Sequence, residues 1–227
     1  MPRITFFYDV VSPWSVFAFH TLKRYERVWN LDIIYKPRYL GGVMVASGNQ
    51  PPANNPSKGT ADLGSIHDCA SSPRSLLTTG YVQFPSTFPI NTIHIARLLR
   101  VIEDEAPSAL EPITALFFNA MWSPNADANF TVQPKNFAAV IPAEILSRAD
   151  LEKYLKMSQT DVNKERMKVE AAALVAEGAF GFPWLQVEND AGKKASFFGS
   201  DRFELIAFFL GRSWLGPFPE GGRPSKL

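Results

Sequence analysis

Most recurrent chemistries need residues that this chain has in short supply. Cysteine occurs once, at Cys69. That excludes an internal disulfide framework, a CxxC redox pair and a cysteine-rich zinc site, and it fits a reducing compartment. Histidine occurs three times, at His20, His67 and His94, with no metal-ligand spacing. His67-Asp68-Cys69 reads as a chance neighbourhood, and Cys69 as a bystander. Neither sign of charge prevails, with 23 Lys+Arg against 22 Asp+Glu and no run of five like charges, so nothing marks nucleic acid or an anionic membrane as a partner. An apolar run of about 18 residues is missing too, and Met1-Pro2-Arg3 leads straight into a strand pattern; neither a membrane span nor a cleaved leader is expected. Walker loop, dinucleotide fingerprint and GxSxG elbow are all absent. What remains is small-molecule chemistry, in a chain whose 227 residues and 46% hydrophobic content can bury one large core or two small ones.

The apolar pattern orders the elements. Residues 3 to 9 (RITFFYD) and 31 to 36 (LDIIYK) read as strands. Between them Ala18, Leu22, Tyr25 and Trp29 recur every three or four residues, the face of a helix that covers a sheet. This is a βαβ unit with a parallel pair. From about 37 to 84 the text is loop-like, rich in Gly, Pro and Asn, with no clear period. Ile95, Leu98, Leu99 and Ile102, then Ile113, Leu116, Phe117 and Ala120, follow helical spacing. A further helix is expected over roughly 160 to 177, closed by Gly178. Strands at 183 to 187 and 195 to 198 flank the turn Asn189-Asp190-Ala191-Gly192, and a last helix opens at Asp201, with Glu204 completing a capping-box pattern and Leu205, Phe208 and Phe209 forming its apolar stripe.

Three segments offer chemistry. In Tyr8-Asp9-Val10-Val11-Ser12-Pro13-Trp14-Ser15 a strand end meets a helix start. Ser12 can cap that helix, or donate its hydroxyl hydrogen to an external anion drawn to the helix N-terminus. In Gly178-Ala179-Phe180-Gly181-Phe182-Pro183-Trp184 a proline opens a strand, and the bond before it can be trans or cis. In Phe198-Gly199-Ser200-Asp201-Arg202, Asp201 is a helix cap or a ligand-binding group.

Together, YDVVSPWS, SGNQPP with the following Lys58-Gly59, GAFGFP, FGSDR and the tail Trp214-Leu215-Gly216-Pro217 resemble the kappa-class glutathione transferases over nearly the whole chain. The bacterial 2-hydroxychromene-2-carboxylate isomerases and the disulfide oxidoreductases are related to that class. The resemblance implies an α/β fold of thioredoxin-like βαβ and ββα halves with an all-helical domain between them: 1–60, then 61–177 helical, then 178–227 with the tail. It implies Ser12 as the catalytic residue and glutathione as co-substrate, bound by Ser12, Pro13, Trp14, Asn49, Lys58, Phe182, Pro183, Ser200 and Asp201. Trp14 stands where the class has tyrosine, and Phe182 where it has leucine before a cis proline. Ser200 and Asp201 are expected at the γ-glutamyl end, and the Phe182 backbone is expected to pair with the tripeptide like an added strand.

A free thiol titrates near roughly 8.5, so only a few per cent is thiolate at neutral pH. A hydroxyl hydrogen bond and a helix N-terminus both favour the anion. The resemblance thus implies a transferase that delivers glutathione sulfur to an electrophile or reduces a hydroperoxide, acting as a homodimer. The competing readings are a glutathione-dependent isomerase and a non-catalytic glutathione-binding adaptor. The terminal Ser225-Lys226-Leu227 is the tripeptide read by the peroxisomal import receptor, so a peroxisomal location and a eukaryotic source are expected. Residues 216 to 224 are expected to let that tail project. A reporter fused to the N-terminus should give punctate import that deletion of Ser225 to Leu227 abolishes; a diffuse intact fusion contradicts the assignment.

Overall fold

The computed structural model describes residues 1–50, 88–122 and 134–219; Lys58, His67, Cys69 and Ser225 to Leu227 lie outside them. The chain runs β1 (Arg3–Tyr8), α1 (Pro13–Val28), β2 (Asp32–Pro37), α2 (Leu40–Ser47), α3 (Ile93–Glu105), α4 (Pro107–Trp122) and a short α5 (Pro134–Phe137) that continues as a 3-10 turn. Then come α6 (Arg148–Ser158), α7 (Asp161–Ala176), β3 (Trp184–Glu188), β4 (Lys194–Phe198) and α8 (Phe203–Leu210).

The sheet order is β2-β1-β3-β4, with β1 parallel to β2 and antiparallel to β3. In register, Phe6 lies beside Tyr35 on one side and Leu185 on the other. Strand alternation then divides the interior in two. Ile4, Phe6, Tyr8, Leu185 and Val187 join Ala18, Leu22, Tyr25 and Trp29 of the first helical face in the main core. That core extends through Leu98, Ile102, Ile113 and Phe117. On the opposite face Phe7 and Trp184 meet Val43, Ala171, Leu174, Ala179 and Phe182, where α2 and α7 close the second side of the sheet.

Several expectations change. The segment read as loop begins with a helix, α2: its Gly41-Gly42 pair lowers helix propensity, and packing favours a residue without Cβ at Gly41 but not at Gly42. A Cβ on Gly41 would stand 2.7 Å from the Tyr39 ring, and one on Gly42 3.8 Å from Ala171. Helix α6, capped by Ser147 through the amide of Asp150, was not anticipated. The last helix starts at Phe203 rather than Asp201, and it buries Phe203, Ile206, Ala207 and Leu210, whereas Leu205 and Phe208 face solvent. The chain after it also packs instead of projecting at once. Trp214 stacks on Tyr25, whose hydroxyl donates to the Gly216 carbonyl at 2.6 Å, and Arg24 lies over the Phe218 ring.

Burial in α1 makes His20 a probe of acid stability. Desolvation, helped by the nearby Arg24, lowers its pKa to about 4, against about 6.5 in the unfolded chain. Between those values the unfolded state binds the extra proton, so stability falls as pH drops from about 6.5 towards 4. His20→Gln should therefore lose about 3 kcal/mol less than the wild type on going from neutral pH to about 4, at about 1.36 kcal/mol per unit. Asp9, whose raised pKa acts in the opposite sense, is common to both proteins and cancels in the difference. Parallel urea curves at each pH check this; equal acid losses contradict it.

Candidate active site

Where β1 ends, the chain makes a tight turn over Asp9 to Ser12. The Ser12 amide donates to the Asp9 carbonyl at 3.1 Å, and the Trp122 indole donates to the Val10 carbonyl at 2.7 Å. The Asp9 side chain, 2% exposed, gathers three donors. Val11 N–H and the Thr92 hydroxyl reach Oδ1 at 3.2 and 2.7 Å, and Leu40 N–H reaches Oδ2 at 2.7 Å. Burial pushes this carboxyl up, and those hydrogen bonds only partly offset it. The sequence reading gave Asp9 no role, although an aspartate two residues before a free amide is the signature of an Asx turn.

Of the two roles left open for Ser12, the structure shows the capping one, with the hydroxyl hydrogen given to the chain itself. It caps α1, with Pro13 next, by accepting from Ser15 N–H at 3.2 Å, and it donates its hydrogen to the Phe182 carbonyl at 3.1 Å. The side chain is buried. A hydroxyl has one hydrogen to give, so an anion arriving at Ser12 competes directly with Phe182.

The segment carrying Phe182 is fixed from behind by α7. Gly178, at φ 100°, ends that helix as the sequence suggested: its amide bonds Val175 and the amide of Ala179 bonds Leu174, at 2.9 and 3.1 Å. The Phe182–Pro183 bond is cis. Asn49 donates from Nδ2 to the Phe180 carbonyl at 2.8 Å, and Gly199 N–H donates to the Pro183 carbonyl at 3.0 Å. Three separated stretches thus converge on the cis-proline loop at residues 180 to 183: the Ser12 turn, Asn49 after α2 and Gly199 at the turn before Ser200 and Asp201.

Asp201 is not a helix cap. The N-cap of α8 is Arg202, without a side-chain cap bond, and the Asp201 carboxylate instead pairs with Arg202 at 3.3 Å in an exposed position. The physical reason is the preceding turn. Gly199 sits at φ 95°, and Asp201 Oδ1 comes within 2.7 Å of where a Cβ on Gly199 would be, so the carboxylate folds back and the helix begins two residues later. Trp14 is half-buried and packs at 5.8 Å from Phe17. Among the described residues no group of three His, Cys, Asp or Glu could hold a metal ion, and no helix is long and apolar enough to cross a membrane.

A β2-β1-β3-β4 sheet with one parallel pair, built from βαβ and ββα halves with helices between them, defines a thioredoxin-type architecture. The family model described as DSBA-like thioredoxin domain matches residues 3–211. A solved 2-hydroxychromene-2-carboxylate isomerase superposes with a TM-score of 0.66 at 21% identity, covering 92% of this chain and 94% of that one. The cytosolic disulfide reductase DsbM of Pseudomonas aeruginosa, solved with GSH, superposes at 0.55 with 14% identity, covering 91% and 96%. Among curated proteins, glutathione S-transferase kappa 1 of Rattus norvegicus is 32% identical, over 96% of this chain and 95% of its own length. The protein of that name from Homo sapiens is 31% identical over 96% of each. This chain belongs to the kappa class of glutathione S-transferases, on the DSBA-like thioredoxin fold.

Proposed function

We propose that this protein is a glutathione transferase in which Ser12 holds the glutathione thiolate for attack on an electrophile. The carrying observation is the Ser12 hydroxyl at the start of a 16-residue helix, its hydrogen directed at the carbonyl of Phe182. A helix N-terminus carries about half a positive charge, which favours an anion there. Glutathione supplies the sulfur that a thioredoxin-type protein otherwise draws from its own cysteines. On binding, the sulfur accepts the Ser12 hydrogen, and the Phe182 carbonyl, released from Ser12, accepts the cysteinyl N–H of the tripeptide as an added strand would. Asn49, Lys58, Ser200 and Asp201 complete the peptide site, the last two at the γ-glutamyl end. The thiolate lone pair then forms the C–S bond, and the leaving group departs with its electron pair.

The curated kappa relatives support this reading at the level of glutathione transfer. The test is stoichiometry, with glutathione and a panel of electrophiles and hydroperoxides. A conjugate, or oxidised glutathione, formed above the buffer rate is the expected result. An isomerised 2-hydroxychromene-2-carboxylate with glutathione unconsumed points instead to the isomerase, and rates equal to buffer throughout overturn the enzyme.

A further inference from the structure

The buried carboxylate three residues before Ser12 has no partner of opposite charge among the described residues, yet three helices begin around it. Helix α2 has Tyr39 at its N-cap with no side-chain cap bond; Asp9 Oδ2 takes the amide of Leu40, its first residue, in place of a local cap. Thr92, the N-cap of α3, makes no side-chain cap bond to its own helix, whose first amide, of Ile93, goes to Asn91 Oδ1 at 3.1 Å; the Thr92 hydroxyl goes to Asp9 Oδ1. The turn into α1 is bound through Val11. The positive ends of helices favour a buried anion at such a place.

The Leu40 and Val11 bonds belong to a closed ring. From Asp9 the chain of contacts passes through Leu40 along α2, which is eight residues long and ends at Gly48 with φ 70°. Asn49 follows and holds the Phe180 carbonyl. Two residues on, the Phe182 carbonyl accepts from Ser12, and the Ser12 turn returns to Asp9 by two arms, the Ser12 amide on its carbonyl and the Val11 amide on its Oδ1. The first turn of α2 has little room to shift, because the Tyr39 ring fills the space beside Gly41 and its hydroxyl donates to Asn91 at the start of α3.

We propose that Asp9 is a positioning residue: it locks α2, and through it Asn49, to the Ser12 turn, and so sets the affinity for glutathione. This rests on the function proposed above. Asp9 touches neither sulfur nor electrophile; it acts through the spacing of the groups that do.

Asp9→Asn tests it. Either orientation of the new amide turns its nitrogen towards a backbone N–H, that of Leu40 or that of Val11, so one arm of the ring is lost without change of volume. The glutathione Kd should rise about tenfold, while kcat at saturating glutathione stays within about threefold. Asn49→Ala added to Asp9→Asn should raise Kd little further than the larger single effect, because both break the same ring; a purely structural loss gives additive changes instead. Should Asp9→Asn not fold, Thr92→Val removes, with little change of shape, the hydroxyl that holds Oδ1 beside the Val11 amide, and so loosens the same ring at Asp9. It should raise Kd in the same direction by a smaller factor and show the same non-additivity with Asn49→Ala. An unchanged Kd in the folded variant, or additive effects, overturns the inference. Failure of Ser12→Ala to alter the titration of the bound thiol would strike the proposed function instead, and the two failures are separable.

Discussion

Ser12→Ala is expected to lower kcat/KM for conjugation by about 10²- to 10³-fold, the usual effect of removing one donor aimed at reacting charge. The loss should fall mainly on kcat, since the peptide contacts around Phe182 and Asn49 remain. The fold should survive. Removing a serine cap costs about 1 kcal/mol, and the bond to the Phe182 carbonyl adds a contribution of similar size. Steady-state kinetics at saturating glutathione, with a melting curve as control, check both halves. Activity within about threefold of the wild type removes Ser12 from the chemistry.

The largest stability effect is expected at Arg100, 2% exposed on α3. Its guanidinium forks onto Glu170 of α7, with contacts from 2.7 to 2.9 Å, and reaches Asp104 at 2.8 Å. Around it Arg38 pairs with Glu103 at 2.6 Å and Glu170 at 3.2 Å, Lys36 with Glu103, and Arg166 with Asp104 and Glu170. This network joins the end of β2 to α3 and to α7, the helix that packs behind the cis-proline loop. Breaking a buried pair from one side leaves uncompensated charge and costs roughly 3 to 5 kcal/mol. Arg100→Ala should fall near about 3, since Arg38, Lys36 and Arg166 still face the stranded carboxylates. Arg100→Lys should recover only part, because a single ammonium cannot reproduce the fork. Urea denaturation measures this, and a loss under about 0.5 kcal/mol, typical of exposed sites, contradicts it.

How far the sequence revealed the molecule depended on how local the signal was. The α1 face of Ala18, Leu22, Tyr25 and Trp29, the β3–β4 hairpin and the Gly178 terminus were all readable, because spacing and turn chemistry within a few residues determine them. Helix α2 was not, since Gly41 and Gly42 argue locally against a helix, and the packing of Val43 with Ala171 and Leu174 of α7 is a tertiary fact. The stripe assigned to α8 held at Phe209, which packs against the main core, and failed at Leu205 and Phe208, which face solvent although they satisfy helical spacing as well as Phe203 and Ile206 do; only tertiary packing selects between the two sets. Ser12 and Phe182 could be named from motifs, but their meeting across 170 positions is a tertiary fact. Asp9 was overlooked for the same reason: two of its three partners, Leu40 and Thr92, lie 31 and 83 residues away.

Ultraviolet titration of the thiol of bound glutathione bears most directly on the central claim. In the wild type the bound thiol should titrate at least about one unit below the roughly 8.5 of a free thiol, and most of that shift should vanish in Ser12→Ala. A bound thiol titrating at the free value in the wild type, or an equal shift in both proteins, would contradict a thiolate held by Ser12.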